Sequence, residues 1–300
     1  MDMPIKAVGV IGIGSMGDPM ARRIADAGFL LTVCDVNAAS LTAFAALGAT
    51  TTTRASDCAR CDATIVLVAT PDQMRDVVLG AHGLKGHIAA GTPHYLVIMS
   101  TVAPKDIQEL AQALAGTSIR LVDAPISGGV VGARKGTLTV LAGGVQADVA
   151  KLQPVFEAVG KSVFHCGALG AGQTTKIVNN VIAVSNLMFS AEAYRIAQAN
   201  GLSIEQFMPA LEAGSARNFM SRNPQDAPEV YAAWSSSPEQ YRAVQTINKK
   251  DMALALSLCP PGMSAPAITA LRDLIERMGP ETLATWQALA GTTIPRQTNT

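Results

Sequence analysis

The stretch Val8–Gly28, VGVIGIGSMGDPMARRIADAG, decides how the chain reads. Apolar residues lead into Gly12, Gly14 and Gly17 at the spacing G-x-G-x-x-G, and PMARRIADAG then follows a helical period with Met20, Ile24 and Ala27 on one face. Strand, tight turn and helix in that order are the context in which such glycines signify a phosphate-binding turn rather than a common bend. Gly12 makes the turn, Gly14 lets the backbone approach a pyrophosphate, and Gly17 permits close packing of helix on strand. Ile13, Ser15 and Met16 complete the turn, whose amides sit at the positive end of the helix dipole.

The next segment, Phe29–Asn37 (FLLTVCDVN), reads as a second strand ending in Asp35, 23 residues after Gly12. A carboxylate there accepts hydrogen bonds from the adenosine ribose. Val36, Asn37 and the residues up to Ser40 include no lysine or arginine. A 2′-phosphate would meet a like charge with no cation to pair it, so NAD is expected over NADP.

Ala63–Thr70 (ATIVLVAT) and Tyr95–Thr101 (YLVIMST) are unbroken apolar runs of the kind buried parallel strands require. PKDIQELAQALAG reads as a helix with Pro104 in its first turn. IRLVDAPISGG and GTLTVLAGG read as further strands. Strands separated by helices predict an α/β Rossmann domain with a doubly wound parallel sheet. After Gly172 the pattern changes. Gln173–Asn200 holds no proline or glycine over 28 residues, which as one helix would extend about 40 Å. The rest is helical in pattern, so residues 1–168 are expected to form the dinucleotide-binding domain and 169–300 an all-α domain for substrate and oligomerisation. The long helix is apolar over much of its circumference, which predicts burial between domains or subunits and a homodimer or homotetramer. The tail TIPRQTNT is expected to be mobile.

Composition narrows the function classes. The 300 residues are 49% hydrophobic and 15% charged, with zero formal net charge. No basic stripe points to nucleic acid, and no apolar run approaches the ~18 residues of a membrane span. MDMPIKA leads straight into the first strand, and the reading is of a cytoplasmic protein. The five cysteines do not form a disulfide framework. Cys58 and Cys61 make one C-x-x-C with neither a second pair nor nearby histidines, and the four histidines are scattered, so no metal site is expected.

Several segments together resemble the β-hydroxyacid dehydrogenases, the 3-hydroxyisobutyrate dehydrogenase-like enzymes, over nearly the whole chain. GIGSMGDPMA (Gly12–Ala21) resembles the family's glycine turn, STVAP (Ser100–Pro104) its nicotinamide-side segment and DAPISGGVVGARKGTLTVLAGG (Asp123–Gly144) its substrate-binding signature. GAGQTTKIVNN (Gly170–Asn180) resembles the catalytic segment and KKDMALAL (Lys249–Leu256) the later Lys-Asp segment. The resemblance implies oxidation of the hydroxyl of a short 3-hydroxy acid, or the reverse, with hydride passing to or from the nicotinamide. It makes Lys176 the catalytic acid/base, with Asn180 four residues on and on the same helical face. It assigns Ser127, Gly128 and Gly129 to a carboxylate-binding turn, Thr101 and the backbone at Val68 and Ala69 to nicotinamide and ribose contacts, and Lys250 to the cofactor and substrate.

Departures stand beside the matches. Ala69 replaces a usual proline, Met99 a usual aspartate and Arg23 a frequent asparagine. Ala243 stands where an aromatic is common, with Tyr241 two residues earlier, so the substrate is expected to differ from the commonest one. Arg217, Asn218 and Trp234 are further candidates for substrate contact. The alternatives are an imine reductase and a catalytically silent nucleotide-binding assembly protein, and the retention of Lys176 weighs against both.

Overall fold

The structure, a computed structural model, describes residues 4–222 and 227–291. The tail read as mobile lies outside them. The chain divides into two compact units, the first ending at Lys176 and the second beginning at Ile177.

The first unit holds nine strands among the described residues: β1 (Ala7–Ile11), β2 (Leu30–Cys34), β3 (Thr50–Thr52), β4 (Ala63–Val66), β5 (His94–Ile98), β6 (Ile119–Asp123), β7 (Ile126–Ser127), β8 (Leu138–Gly143) and β9 (Gly160–Gly167). Six of them run parallel in the order β3-β2-β1-β4-β5-β6. This is the doubly wound order, and it reverses between β1 and β4, where such sheets bind ligands beyond their carboxyl ends. The helices of this unit are α1 (Gly17–Asp26), α2 (Thr42–Ala45), α3 (Pro71–Leu79), α4 (Pro104–Ala113), α5 (Gly129–Lys135) and α6 (Gln146–Val159), with 3-10 turns at Ala38–Leu41 and Ala55–Arg60. α1 buries Met20, Ala21 and Ile24. Ala27, read as part of that face, is its exposed C-cap, and Ala21 takes its place.

Beyond β6 the sheet stops being parallel. β8 pairs antiparallel with β6 and β7, and β9 pairs parallel with β8. Only ten residues separate Ser127 from Leu138, fewer than the dozen or more that a parallel crossover needs, so the chain turns back on itself. The longer connection through α6 allows β9 to return parallel. The edge strand β3 is a threonine run, suited to a strand by β-branching but carrying no apolar signal.

A 29-residue helix, α7 (Ala171–Ala199), starts in the first unit and continues into the second. The remaining helices are α8 (Ile204–Ala213), α9 (Phe219–Arg222), α10 (Ala227–Ser235), α11 (Pro238–Ser257), α12 (Pro266–Glu276) and α13 (Pro280–Ala290). Val184, Leu187, Met188, Ala191 and Tyr194 of α7 enter the core of the second unit. That core closes around Trp286, whose ring meets Tyr231, Trp234 and Tyr241 at centroid distances of 6.0, 6.1 and 5.4 Å. The expected burial of α7 is incomplete in the single chain: Val178, Ile182, Phe189 and Ile196 lie exposed along it. No helix among the described residues is long and apolar enough to cross a membrane.

Candidate active site

The glycine turn links β1 to α1. Gly12 has φ +96°, and a Cβ there would stand 2.6 Å from the Leu67 carbonyl oxygen. At Gly17 a Cβ would overlap the Gly12 carbonyl oxygen, so only glycine lets α1 start this close to the turn. Around Gly14 no atom beyond its immediate chain neighbours lies within 4 Å of where a Cβ would be. Gly14 and Ser15 are exposed, and Met16 caps α1 without a side-chain hydrogen bond. The first-turn amides of a helix have no intrahelical acceptor, so this turn has both the open space and the donors that a pyrophosphate needs.

Asp35 follows β2 directly. Its carboxylate accepts from the Ile13 amide at 2.7 Å and the Asn37 amide at 2.8 Å, tying the end of β2 to the glycine turn. The carboxylate keeps lone pairs for ribose hydroxyls. Val36 is 94% exposed beside it, and the Asn37 side chain accepts from the Ala39 amide. These residues fit a dinucleotide.

Two neighbouring strand ends carry the expected nicotinamide-side residues. After β4, the Val68 carbonyl accepts from the Ser100 hydroxyl at 2.7 Å. The Ala69 amide donates to the Gln73 side chain, part of the Thr70–Gln73 capping box that starts α3. After β5, Thr101 lies between Ser100 and Val102, and both neighbours are held by Gln173. Its Nε2 donates to the Ser100 carbonyl at 2.9 Å, and its Oε1 accepts from the Val102 amide at 3.1 Å.

Ser127 ends β7 and opens the turn into α5. Gly128 and Gly129 follow with φ +125° and +61°, conformations that favour glycine. Successive amides in such a turn can form an anion-binding nest.

Lys176 and Asn180 are half-buried on α7, one helical turn apart. The start of α7 is held by Asp123 at the end of β6, which accepts from the Gly170 amide at 2.7 Å and the Gln173 amide at 2.8 Å. Burial raises the Asp123 carboxyl above its usual range, and these backbone donors oppose the shift. Gly172 packs so closely that a Cβ would run into the Leu141 carbonyl oxygen. In the second unit the Asn180 amide donates to buried Asp251 at 2.6 Å, and Lys250 stands 3.6 Å from the other Asp251 oxygen.

Other candidates have structural partners. Arg217 pairs with Glu212 at 2.8 Å, and the Asn218 side chain accepts from the Met220 amide at the start of α9. Trp234 packs on Trp286, as does Tyr241, so Tyr241 does not supply the aromatic missing at the exposed Ala243. Cys58 is fully buried against β1 at Gly9. Its hydrogen bond with Cys34, followed by burial, holds its thiol well above the usual range, which makes the C-x-x-C a packing feature. Among the described residues no cluster of histidine, cysteine and acidic side chains suits a metal ion. A surface hollow of about 640 Å³ at the opposite, N-terminal end of β5 and β6, bordered by Lys85, Pro93, Ser118 and Arg120, gathers none of the candidate residues.

The motif reading named Lys176 and Asn180 but not the residues that hold them, Ser100, Asp123, Gln173 and Asp251. All four are polar residues inside apolar surroundings, and they lie in the quoted motifs STVAP, DAPISGG, GAGQTTKIVNN and KKDMALAL. A buried polar residue needs a partner, and that requirement was the signal available to find them.

Known proteins resemble the chain over both units. Residues 7–167 match the model of the NAD binding domain of 6-phosphogluconate dehydrogenase. Residues 170–290 match the model of the NAD-binding domain of NADP-dependent 3-hydroxyisobutyrate dehydrogenase. The chain is 32% identical to an NAD-dependent L-serine dehydrogenase of Pseudomonas aeruginosa, across 91% of this chain and 92% of that one. It is also 32% identical to a 3-hydroxyisobutyrate dehydrogenase of the same organism, across 83% and 84%. A crystal structure of 3-hydroxyisobutyrate dehydrogenase from Salmonella typhimurium superimposes with TM-score 0.73 at 27% identity, covering 90% of this chain and 93% of that one. A dinucleotide turn on a doubly wound sheet, an all-α second unit and matches spanning both establish that the chain belongs to the β-hydroxyacid dehydrogenase family, oxidoreductases of hydroxy acids that use a nicotinamide dinucleotide.

Proposed function

We propose that the protein oxidises the primary or secondary hydroxyl of a short 3-hydroxy acid, or reduces the corresponding aldehyde or ketone, with NAD as its cofactor and Lys176 as the acid/base. The observation that carries this reading is Lys176 one turn from Asn180 on a helix whose start is anchored to the ends of two sheet strands. L-serine and 3-hydroxyisobutyrate, named in the two relatives, share a carboxylate with a hydroxyl on the third carbon. In this reading the Ser127–Gly129 turn binds that carboxylate through backbone amides. The neutral Lys176 amine takes the hydroxyl proton as hydride leaves the carbon, and returns a proton in the reverse direction. The Asn180 amide, held by Asp251, orients the reacting oxygen. Lys250 lends positive charge to the same reaction. The cofactor, held by the Gly12–Gly17 turn and Asp35 with Val68, Ala69 and Thr101 on its nicotinamide side, supplies the hydride acceptor.

The NAD preference rests on Asp35 and on the absence of a cation from Val36 to Ser40. The test is turnover of L-serine, 3-hydroxyisobutyrate, 3-hydroxypropionate and L-threonate with NAD and with NADP, for the wild type and Lys176→Ala. Turnover of none of these acids, or NADP used as well as NAD, would overturn the corresponding part.

Residues 1–168 in this reading form the cofactor domain and 169–300 the substrate and oligomerisation domain. The exposed apolar residues Val178, Ile182, Phe189 and Ile196 on α7 support a homodimer or homotetramer. A monomer in light scattering at micromolar concentration would remove that part. Free thiols suit a reducing, cytoplasmic compartment.

A further inference from the structure

We propose that Gln173 is a positioning residue whose side-chain amide sets Lys176 against the Ser100–Val102 loop, so that the acid/base and the nicotinamide side of the site are held in one piece. The inference deepens the function proposed above and rests on its roles for Lys176 and Thr101.

The Gln173 side chain is fully buried. Its Nε2 donates to the Ser100 carbonyl and its Oε1 accepts from the Val102 amide, at 2.9 and 3.1 Å. One side-chain amide thus pairs with the backbone groups on both sides of Thr101, much as a neighbouring strand would. The Gln173 backbone amide donates to Asp123 at 2.8 Å, fixing the same residue to the end of β6. The Ser100 hydroxyl donates to the Val68 carbonyl at 2.7 Å, which extends the network to the end of β4. Lys176 lies three residues beyond Gln173, on the same side of α7. Ordinary helix capping accounts for the bonds to Asp123. It does not require a buried glutamine that reaches across to grip both neighbours of a third residue.

Proton and hydride transfer must be aligned together, and a misplacement of about 1 Å can cost about 10²-fold in rate. The network meets that demand by linking Val68, Thr101 and Lys176 through two side chains, Ser100 and Gln173.

The test compares Gln173→Met, similar in volume and unable to make either bond, with Gln173→Glu, which keeps the acceptor for Val102 and donates to Ser100 only while its carboxyl is protonated. Gln173→Met should lower kcat by about 10- to 100-fold and NAD affinity by much less, because the glycine turn and Asp35, which hold the pyrophosphate and adenosine side, are untouched. Gln173→Glu should lie between the wild type and Gln173→Met at low pH, where its carboxyl donates to Ser100, and should lose activity as pH rises and two oxygens come to face each other there. Hydrogen exchange on the protein without cofactor gives a readout independent of activity. The Val102 amide should lose protection in Gln173→Met and keep it in Gln173→Glu, while the Gly170 and Gln173 amides, held by Asp123, stay protected in both. An unchanged kcat, a parallel loss of NAD affinity, or unaltered Val102 exchange in Gln173→Met would overturn the proposal. So would failure of both variants to fold, which would make the glutamine structural. Full activity in Lys176→Ala would instead sink the acid/base assignment, while the Val102 exchange would still report on the clamp.

Discussion

Two helices of the first unit begin at sheet-strand ends, and they begin differently. α1 starts on a glycine turn with an N-cap that makes no side-chain hydrogen bond, and the space over Gly14 is open. α7 starts against a buried carboxylate, with Asp123 accepting from the Gly170 amide just before the helix and from the Gln173 amide in its first turn. Both starts carry the same partial positive charge from aligned peptide dipoles. At α1 the protein leaves that charge available to a ligand. At α7 it neutralises the charge internally, and the helix becomes a fixed mount for Lys176. A helix start is therefore an anion site only when the fold declines to fill it.

Substitutions at the two starts should separate these roles. Lys176→Ala should have the largest effect, lowering kcat by about 10²–10⁴-fold, the range of a general acid–base group. NAD titration should be nearly unchanged, since cofactor affinity comes from the α1 end. Retention of more than about a tenth of wild-type turnover would shift the role elsewhere, most directly to Lys250.

Gly17→Ala and Gly172→Ala come next. Each places a Cβ on a backbone carbonyl oxygen, and such overpacking costs about 1–3 kcal/mol or more. Gly17→Ala should weaken NAD binding most, and Gly172→Ala should lower kcat more than NAD affinity. If the two variants give the same profile of kcat and NAD affinity, the contrast between an open start and a filled one fails.

Asp35→Ala should weaken NAD binding by about tenfold, consistent with loss of a charge-assisted hydrogen bond. It should also narrow the preference over NADP, because it removes the repulsion of a 2′-phosphate along with the ribose acceptor. An unchanged kcat/KM ratio for the two cofactors would show that Asp35 serves only to hold the Ile13 and Asn37 amides.

The last effect is one on stability alone, with no change expected in activity at neutral pH, and lies at the opposite end of the sheet. His94 opens β5, is buried, and has a pKa lowered by burial from 6.5 to about 4. The unfolded chain therefore takes up this proton first as pH falls. Stability is intact above about pH 6.5 and is lost between about 6.5 and 4, at up to about 1.4 kcal/mol per pH unit. Urea midpoints for wild type and His94→Phe at about pH 7 and pH 5 should show a shallower acid decline in the variant. Parallel declines would exclude His94 as a source of it.

Much of this protein was determined locally in its sequence. The glycine spacing between an apolar strand and a helical pattern, Asp35 at the end of the next strand, the apolar runs of β4 and β5 and the uninterrupted period of α7 each lie within one segment. Backbone sterics and side-chain periodicity act there without distant help. The antiparallel return of β8 was less visible, because the length of the connection after Ser127 decides it rather than the strand pattern. The threonine strand β3 carried no apolar signal at all. Tertiary structure alone decided how the site is held. Asp123 meets Gln173 across 50 residues, Gln173 meets Ser100 across 73, and Asn180 meets Asp251 across 71. Each is a polar residue in an apolar neighbourhood, so its sequence context shows that it must find a partner but not which one. The sheet order, which brings the ends of β4, β5 and β6 side by side at the start of α7, supplies the partners of Gln173, and the packing of α11 on α7 within the second unit supplies the partner of Asn180.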